Sequence, residues 1–190
     1  DIPILGTSIT EYGVALGIDG FDGTVGGNIS GTSDLAPLDG QAEMLAELFP
    51  VDQYPTVGML YCSAEPNSAY QVEQVTGYLT DMGYTVEDYS FSDSNDLSSV
   101  VQGAVSSVDV IYVPTDNTAA SNTEIINNIC LPAGVPIIAG EQGICSGCGV
   151  ATLSISYYDL GYTTGQMAVK VLNGESDIST MPIEYAPNFT

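Results

Sequence analysis

Histidine is absent from this sequence, which excludes a Ser-His-Asp triad, a His-ligated metal and imidazole acid–base chemistry. A nucleophilic Ser or Cys needs a neighbouring base, and here the only partners on offer are carboxylates. Nothing in their spacing selects a pair for glycoside hydrolysis. No catalytic residue is therefore assigned, no cofactor is expected, and an enzyme is the weaker class. Cys145-Ser146-Gly147-Cys148 has the CxxC spacing of redox pairs, but it precedes an apolar run in a Gly-rich bend instead of opening a helix. Three readings stay open for the thiols: a disulfide, with Cys145 and Cys148 as the candidate pair; free buried thiols; or zinc, which would also need Cys62 and Cys130. Asp19-Gly20-Phe21-Asp22-Gly23 has a calcium-loop flavour, yet lacks the further spaced carboxylates and terminal Glu, so it reads as a pair of turns with no metal.

The polar residues left to carry a function lie at the ends of apolar runs. Thr7-Ser8-Ile9-Thr10 follows the run 2–5, and the segment 63–68, with Ser63, Glu65, Asn67 and Ser68, follows the run 56–62. Thr115-Asp116-Asn117 follows the run 108–113, and Gly140-Glu141-Gln142 the run 135–139. Parallel sheets bind ligands beyond the carboxyl ends of their strands, where helix N-termini present free amides. Hydroxyls and amides suit a carboxylate, whereas Asp116 and Glu141 suit an ammonium group; a zwitterion needs both. Taken singly, each of these residues is also an ordinary helix cap.

The elements that position them alternate from about residue 50. The short apolar run 56–62 reads as a buried parallel strand, and 84–91, 108–113, 135–139 and 150–155 as the strands that follow it. Between them, Pro66-Asn67-Ser68 starts a helix with Val72, Val75, Leu79 and Met82 on one stripe and Gly83 as its stop. Ser94-Asn95-Asp96 caps another through Leu97, Val101 and Ala104, and a third runs through Ile125, Ile126 and Ile129. Right-handed βαβ crossovers then make residues 50–156 a complete, Rossmann-like α/β lobe with a doubly wound parallel sheet. Residues 1–49 and 157–190 hold one strand, a Gly-rich stretch, a helix over 37–49, a helix through Leu160, Met167 and Val171, and a final extended run. Neither flank suffices for a sheet alone, so together they form remnants of a second α/β lobe, joined by hinge crossings.

Composition narrows the partners. The 190 residues carry 24 acids, one base (Lys170) and a net charge of −23, while 44% are apolar. Nucleic acids and anionic membranes need clustered Lys or Arg, so neither is a partner. No run approaches the ~20 apolar residues of a membrane span. Disorder, the usual meaning of high net charge, conflicts with the periodic apolar content. What is unusual is missing base: the side of 69–81 carrying Gln71, Gln74, Thr76, Gly77 and Thr80 reads as exposed, where ordinary helices place Lys or Arg. A protease cutting after Lys or Arg finds a single site, which fits an extracellular or cell-surface protein exposed to such enzymes. No signal peptide is visible; Asp1 leads straight into Ile2-Pro3-Ile4-Leu5, as in a mature or trimmed chain.

The strings YCSAEPNS (61–68), VPTDNTAA (113–120) and SYYDLGYTTGQM (156–167), with Ile2-Pro3-Ile4 before Thr7-Ser8-Ile9-Thr10, resemble the ABC-transporter solute-binding lipoproteins of the tryptophan/tyrosine-type group. The resemblance covers essentially the whole chain. It implies the type I periplasmic-binding-protein fold, two lobes with crossing strands as a hinge, and an aromatic or other amino acid held between them for an ABC permease. Carried over by position, Thr7, Ser8, Ser63, Glu65, Asn67, Ser68, Thr115, Asp116, Asn117 and Glu141 would face that ligand. Against the family pattern, the sequence is expected to lack the N-terminal part of the first lobe. An alternative follows from that expectation: a self-assembling extracellular structural protein. In it, Leu160, Met167 and Val171, or Leu45 and Leu48, would meet another chain, although the acidic charge opposes association unless cations screen it.

Overall fold

The computed structural model describes residues 2–190; Asp1, where the sequence opens, lies outside them. The first elements are β1 (Ile4–Gly6), α1 (Tyr12–Leu16), β2 (Ile29–Ser33), α2 (Leu38–Leu48) and β3 (Thr56–Cys62). Then come α3 (Pro66–Asp81), β4 (Thr85–Phe91), α4 (Ser94–Ala104), β5 (Val110–Val113), α5 (Asn117–Ala120) and α6 (Thr123–Ala133). The chain ends with β6 (Ile137–Ala139), α7 (Gln142–Cys148), β7 (Ala151–Thr152), α8 (Tyr157–Leu172), a 3-10 turn (Ile178–Thr180) and β8 (Glu184–Tyr185). These fall into two compact units: residues 36–154, and a unit made from the two flanks, 1–35 with 155–190.

The unit 36–154 is the doubly wound α/β lobe. Its sheet has the order β4-β3-β5-β6-β7, parallel throughout. The central runs β3, β5 and β6 are apolar without alternation because both faces are covered, whereas the edge strand β4 carries Glu87 and Asp88 and is mostly exposed or half-buried. On one side Leu60, Ile111 and Ile137 pack with Leu97 and Val101 of α4, Ile126 of α6 and Ile144 of α7. Burying each such side chain contributes about 1.5–3 kcal/mol. On the other side α2 packs against α3, with Leu45, Val75 and Leu79 fully buried.

Two expectations change here. The unit starts at Ala36 and not near residue 50, because the apolar stripe Leu38, Ala42 and Leu45 docks α2 onto α3. The CxxC residues do not lie in a bend: Cys145 and Cys148 ride on α7, and all four cysteines are free thiols. Of the three open readings the structure has the free thiols, and the Cys148 Sγ turns back toward the Ile144 carbonyl, at 3.4 Å.

The flank unit holds a parallel three-stranded sheet, β1-β2-β8, with α8 packed on β1, β2 and β8. β1 starts at Ile4, two residues later than expected, and Ile2 is 83% exposed, not buried. β2 lies where only a Gly-rich stretch is expected. Its Gly31 has φ +146°, and a Cβ there would run into the Gly6 carbonyl oxygen and the Tyr12 hydroxyl, so only glycine lets β1 and β2 approach. Leu160, Met167 and Leu45 are fully buried inside their own units, Val171 is half-buried and Leu48 is exposed. Burial within their own units overturns the contact with another chain expected of Leu160, Met167 and Leu45, whereas Leu48 keeps 47% of its surface exposed.

Candidate functional site

Strand order locates the site before any side chain does. From β3 the chain moves outward to β4, then returns to the other side of β3 for β5. Loops leaving β3 and β5 therefore diverge at a topological switch point, the place where open α/β sheets leave a crevice. Both loops carry the polar segments singled out above.

Glu65 spans that divide. It precedes Pro66, the first residue of α3, yet makes no side-chain cap bond there. One carboxylate oxygen accepts from the Asn117 amide (2.9 Å) and Asn117 Nδ2 (2.8 Å); the other accepts from the Thr118 amide (2.9 Å) and Thr118 Oγ1 (2.7 Å). Desolvation pushes its pKa up, but the bonds from Thr118 and Asn117 outweigh it and hold the carboxyl below its ordinary value. The group stays charged at any pH near neutrality.

Asp116 works on the same divide from β5. Its carboxylate accepts from the Cys62 amide at the end of β3 and from the Ala119 amide of α5, each at 2.7 Å, and the residue is 1% exposed. Burial is the largest influence and raises its pKa, partly offset by the bonds from Ala119, Cys62 and Ser68. Thr115 is locked by its backbone. Its carbonyl accepts from Asn67 Nδ2 (3.1 Å), Ser68 Oγ (3.3 Å) and Gln71 Nε2 (3.1 Å), and its amide donates to Gln71 Oε1 (3.1 Å). Glu141 caps α7 through the Gly143 amide (2.6 Å) and the Ile144 amide. Ser63 is exposed and donates to the Phe91 carbonyl at 3.2 Å.

Within this unit the structure thus gathers Ser63, Glu65, Asn67, Ser68, Thr115, Asp116 and Asn117 around the ends of β3 and β5, while Glu141 follows β6. Ser63 and Asn117 are exposed; Glu65, Asn67, Thr115 and Glu141 are half-buried. Ser68 is fully buried and Asp116 nearly so. The polar atoms of these two are turned onto Thr115, Cys62 and Ala119, so that both also hold the loops.

Two glutamines were missed. Gln71, expected on an exposed face, is fully buried and clamps Thr115. Gln41 is also fully buried; it donates to the carbonyls of Gly140 (3.0 Å) and Leu153 (2.8 Å) and accepts from the Tyr112 hydroxyl (2.5 Å). The available signal is spacing: Gln41 sits three residues after Leu38 and four before Leu45, and Gln71 beside Val72 and Val75, all inside core stripes.

In the flank unit, Thr7 and Ser8 follow β1 and are exposed. Thr7 Oγ1 is 3.1 Å from Thr164 Oγ1, whose hydroxyl lies 2.7 Å from Thr32 Oγ1. Ser8 has φ +57°, the one non-glycine residue with positive φ among those described. No group of metal-ligating side chains able to hold an ion occurs among the described residues, and no helix there is long and apolar enough to cross a membrane.

A family model described as ABC transporter substrate binding protein matches residues 1–190. A tyrosine-binding protein of Clostridioides difficile (strain R20291) is 34% identical over 183 residues, which is 96% of this chain and 52% of that protein. Among solved structures, the ABC domain in complex with L-Trp from Streptococcus pneumonia is 32% identical, with a TM-score of 0.89 over 100% of this chain and 65% of its own. The ligand-free, open structure of a substrate-binding protein with adhesive properties from Clostridium difficile is 36% identical, with a TM-score of 0.74 over 100% of this chain and 63% of its own. The chain spans about half the length of the curated relative and just under two thirds of each of these two structures. With the family model matched from end to end and the parallel α/β architecture shared, the chain belongs to the ABC transporter substrate-binding proteins.

Proposed function

We propose that this chain binds an amino acid with an aromatic side chain, as the extracellular or cell-surface substrate-binding part of a system that hands its ligand to an ABC permease. The observation that carries this reading is the switch point between β3 and β5, where charged and neutral polar groups are fixed in place by backbone bonds. It supports a zwitterionic ligand in a family whose matched relatives include a tyrosine-binding protein and a domain solved with L-Trp.

On this reading the exposed hydroxyl of Ser63 and amide of Asn117, with half-buried Asn67 and Thr115, take the ligand carboxylate. Glu65 and Glu141 supply the negative charge that an ammonium group seeks. Ser68 and Asp116 act by positioning Thr115 and the start of α5. The flank unit has a candidate contact segment of its own at Thr7 and Ser8, because a serine held in left-handed backbone is a strained conformation of the kind that collects at functional sites. No step of covalent chemistry is required of any of them.

Titration calorimetry and thermal shift with L-Tyr, L-Trp and L-Phe, against L-Asp and L-Ala, test the proposal. Saturable binding of the aromatic set is expected, with about 2.7 kcal/mol of stabilisation at a hundredfold excess over the dissociation constant. Asn117→Ala should weaken it by tenfold or more. Absence of heat and of shift with every amino acid would refute the reading.

A further inference from the structure

On the 36–154 unit, away from the residues described above, a pocket of about 210 Å³ opens between α6 and α7; its lining includes Asn127, Leu131, Val135 and Ile137. Two thiols share that lining, Cys130 of α6 and Cys148 at the last position of α7. They come from different helices that pack on one another, and they differ in access. Cys130 is 1% exposed, whereas Cys148 is half-buried.

We propose that Cys130 and Cys148 form an oxidisable dithiol, a modification site at which a small-molecule disulfide writes a cross-link between α6 and α7. The accessible Cys148 thiolate attacks one sulfur of the reagent, forming a protein mixed disulfide and releasing one thiol. Cys130 then attacks the Cys148 sulfur and displaces the second thiol. Two protein thiols are oxidised, one reagent disulfide is reduced, and the two protons pass to the leaving thiolates. Burial, then the neighbouring Cys130, Cys145 and Glu141, push the Cys148 thiol up to about 12, and burial pushes Cys130 up to about 11. The pair is therefore slow to react, and the reduced form in the structure is the one expected before exposure to oxidant. Cross-linking would fasten the C-terminal end of α7, whose N-terminal end Glu141 already caps, so the oxidised chain has that helix tied at both ends.

The test is incubation of the intact chain with oxidised glutathione at mildly alkaline pH, followed by intact mass, thiol titration and peptide mapping after Glu-specific cleavage. Expected are a mass loss of two hydrogens, a fall from four titratable thiols to two, and one linked peptide joining Cys130 to Cys148. Cys145→Ser should leave the product unchanged. Mapping on the unsubstituted chain keeps the test independent of variants that fail to fold. A Cys145–Cys148 link, a persistent glutathione adduct that never resolves, or four thiols surviving until the chain is denatured would each overturn the proposal.

Discussion

Replacing Gln71 by leucine tests whether a buried amide, and not the loop sequence itself, holds Thr115 and the switch-point loop. Gln71 is fully buried and makes three bonds: its Oε1 accepts from the Thr115 amide, and its Nε2 donates to the carbonyls of Thr115 and Asn67. Leucine matches the size but leaves the Thr115 N–H without that acceptor, a loss of about 1–3 kcal/mol for a desolvated donor. The Nε2 bonds add little, because the Thr115 carbonyl keeps Asn67 and Ser68 as donors. Set against the gain from burying an apolar group, the net is destabilisation of about 1–2 kcal/mol. With a urea slope of about 2 kcal/mol per M, the midpoint should fall by about 0.5–1 M. Hydrogen exchange adds the local readout: the Thr115 amide should lose protection before its neighbours in β5. Gln74→Leu, three residues on and half-buried, is the control and should stay within about 0.5 kcal/mol. A Gln71→Leu chain with an unmoved midpoint and a protected Thr115 amide would refute the reasoning.

Glu65→Gln replaces an acceptor-only group by one whose NH₂ must face a donor, so it should destabilise the unit 36–154 by about 1–3 kcal/mol at neutral pH. Because the folded Glu65 carboxyl is held below its ordinary value, its stabilisation is complete above the unfolded pKa and is lost as pH falls through the folded one. The gap between the two chains should therefore close on acidification, and a gap constant with pH would contradict this. Ser8→Val forces a β-branched side chain into φ +57° and should cost the flank unit about 1–2 kcal/mol. Ser8→Gly should be neutral or better, and equal thermal midpoints for the Val and Gly chains would show the backbone there to be relaxed.

The central strands β3, β5 and β6 of the larger unit were legible because a strand covered on both faces is an apolar run, and Pro55, Gly83 and Pro114 mark where strands begin or stop. β2 was illegible for the opposite reason. Its side chains are Ser30, Thr32 and Ser33, buried because Met181, Thr164 and Thr10 supply their hydrogen-bond partners. Two of those partners lie more than a hundred positions away, and no local pattern encodes a partner that distant. The site behaves alike. Sequence located the strand ends, since Pro66 and the Asx and Glu residues around it are local signals, but it could not say which way each side chain turns. Asp116 clamps the end of β3 to the start of α5, and Gln71, which read as surface, is core.

A chain with one base must satisfy its acids without side-chain cations, and among the described residues Lys170 with Glu184, at 3.9 Å, is the one ion pair. The backbone takes over. Glu11, Asp93, Asp116 and Glu141 each accept from amides in the first turn of a helix, where free N–H groups and the positive end of the dipole meet; such caps contribute about 1 kcal/mol each. Asp177 does the same on the 3-10 turn, and its bonds from Ser179 hold it below its ordinary value. Other carboxylates fasten strands: Asp109 accepts from the amide of Thr56 at the start of β3, and Asp116 from the amide of Cys62 at its end. The residues flanking β5 thus pin β3 at both ends. Acidic side chains suit this work, because two oxygens with several lone pairs accept from separate amides at once, which no lysine can do. The consequence reaches the proposed site. Its carboxylates are oriented by the fold before any ligand arrives, so the ordering cost of placing negative charge at the switch point is met in folding. Discrimination between ligands then falls to the groups that remain exposed there, above all Ser63 and Asn117.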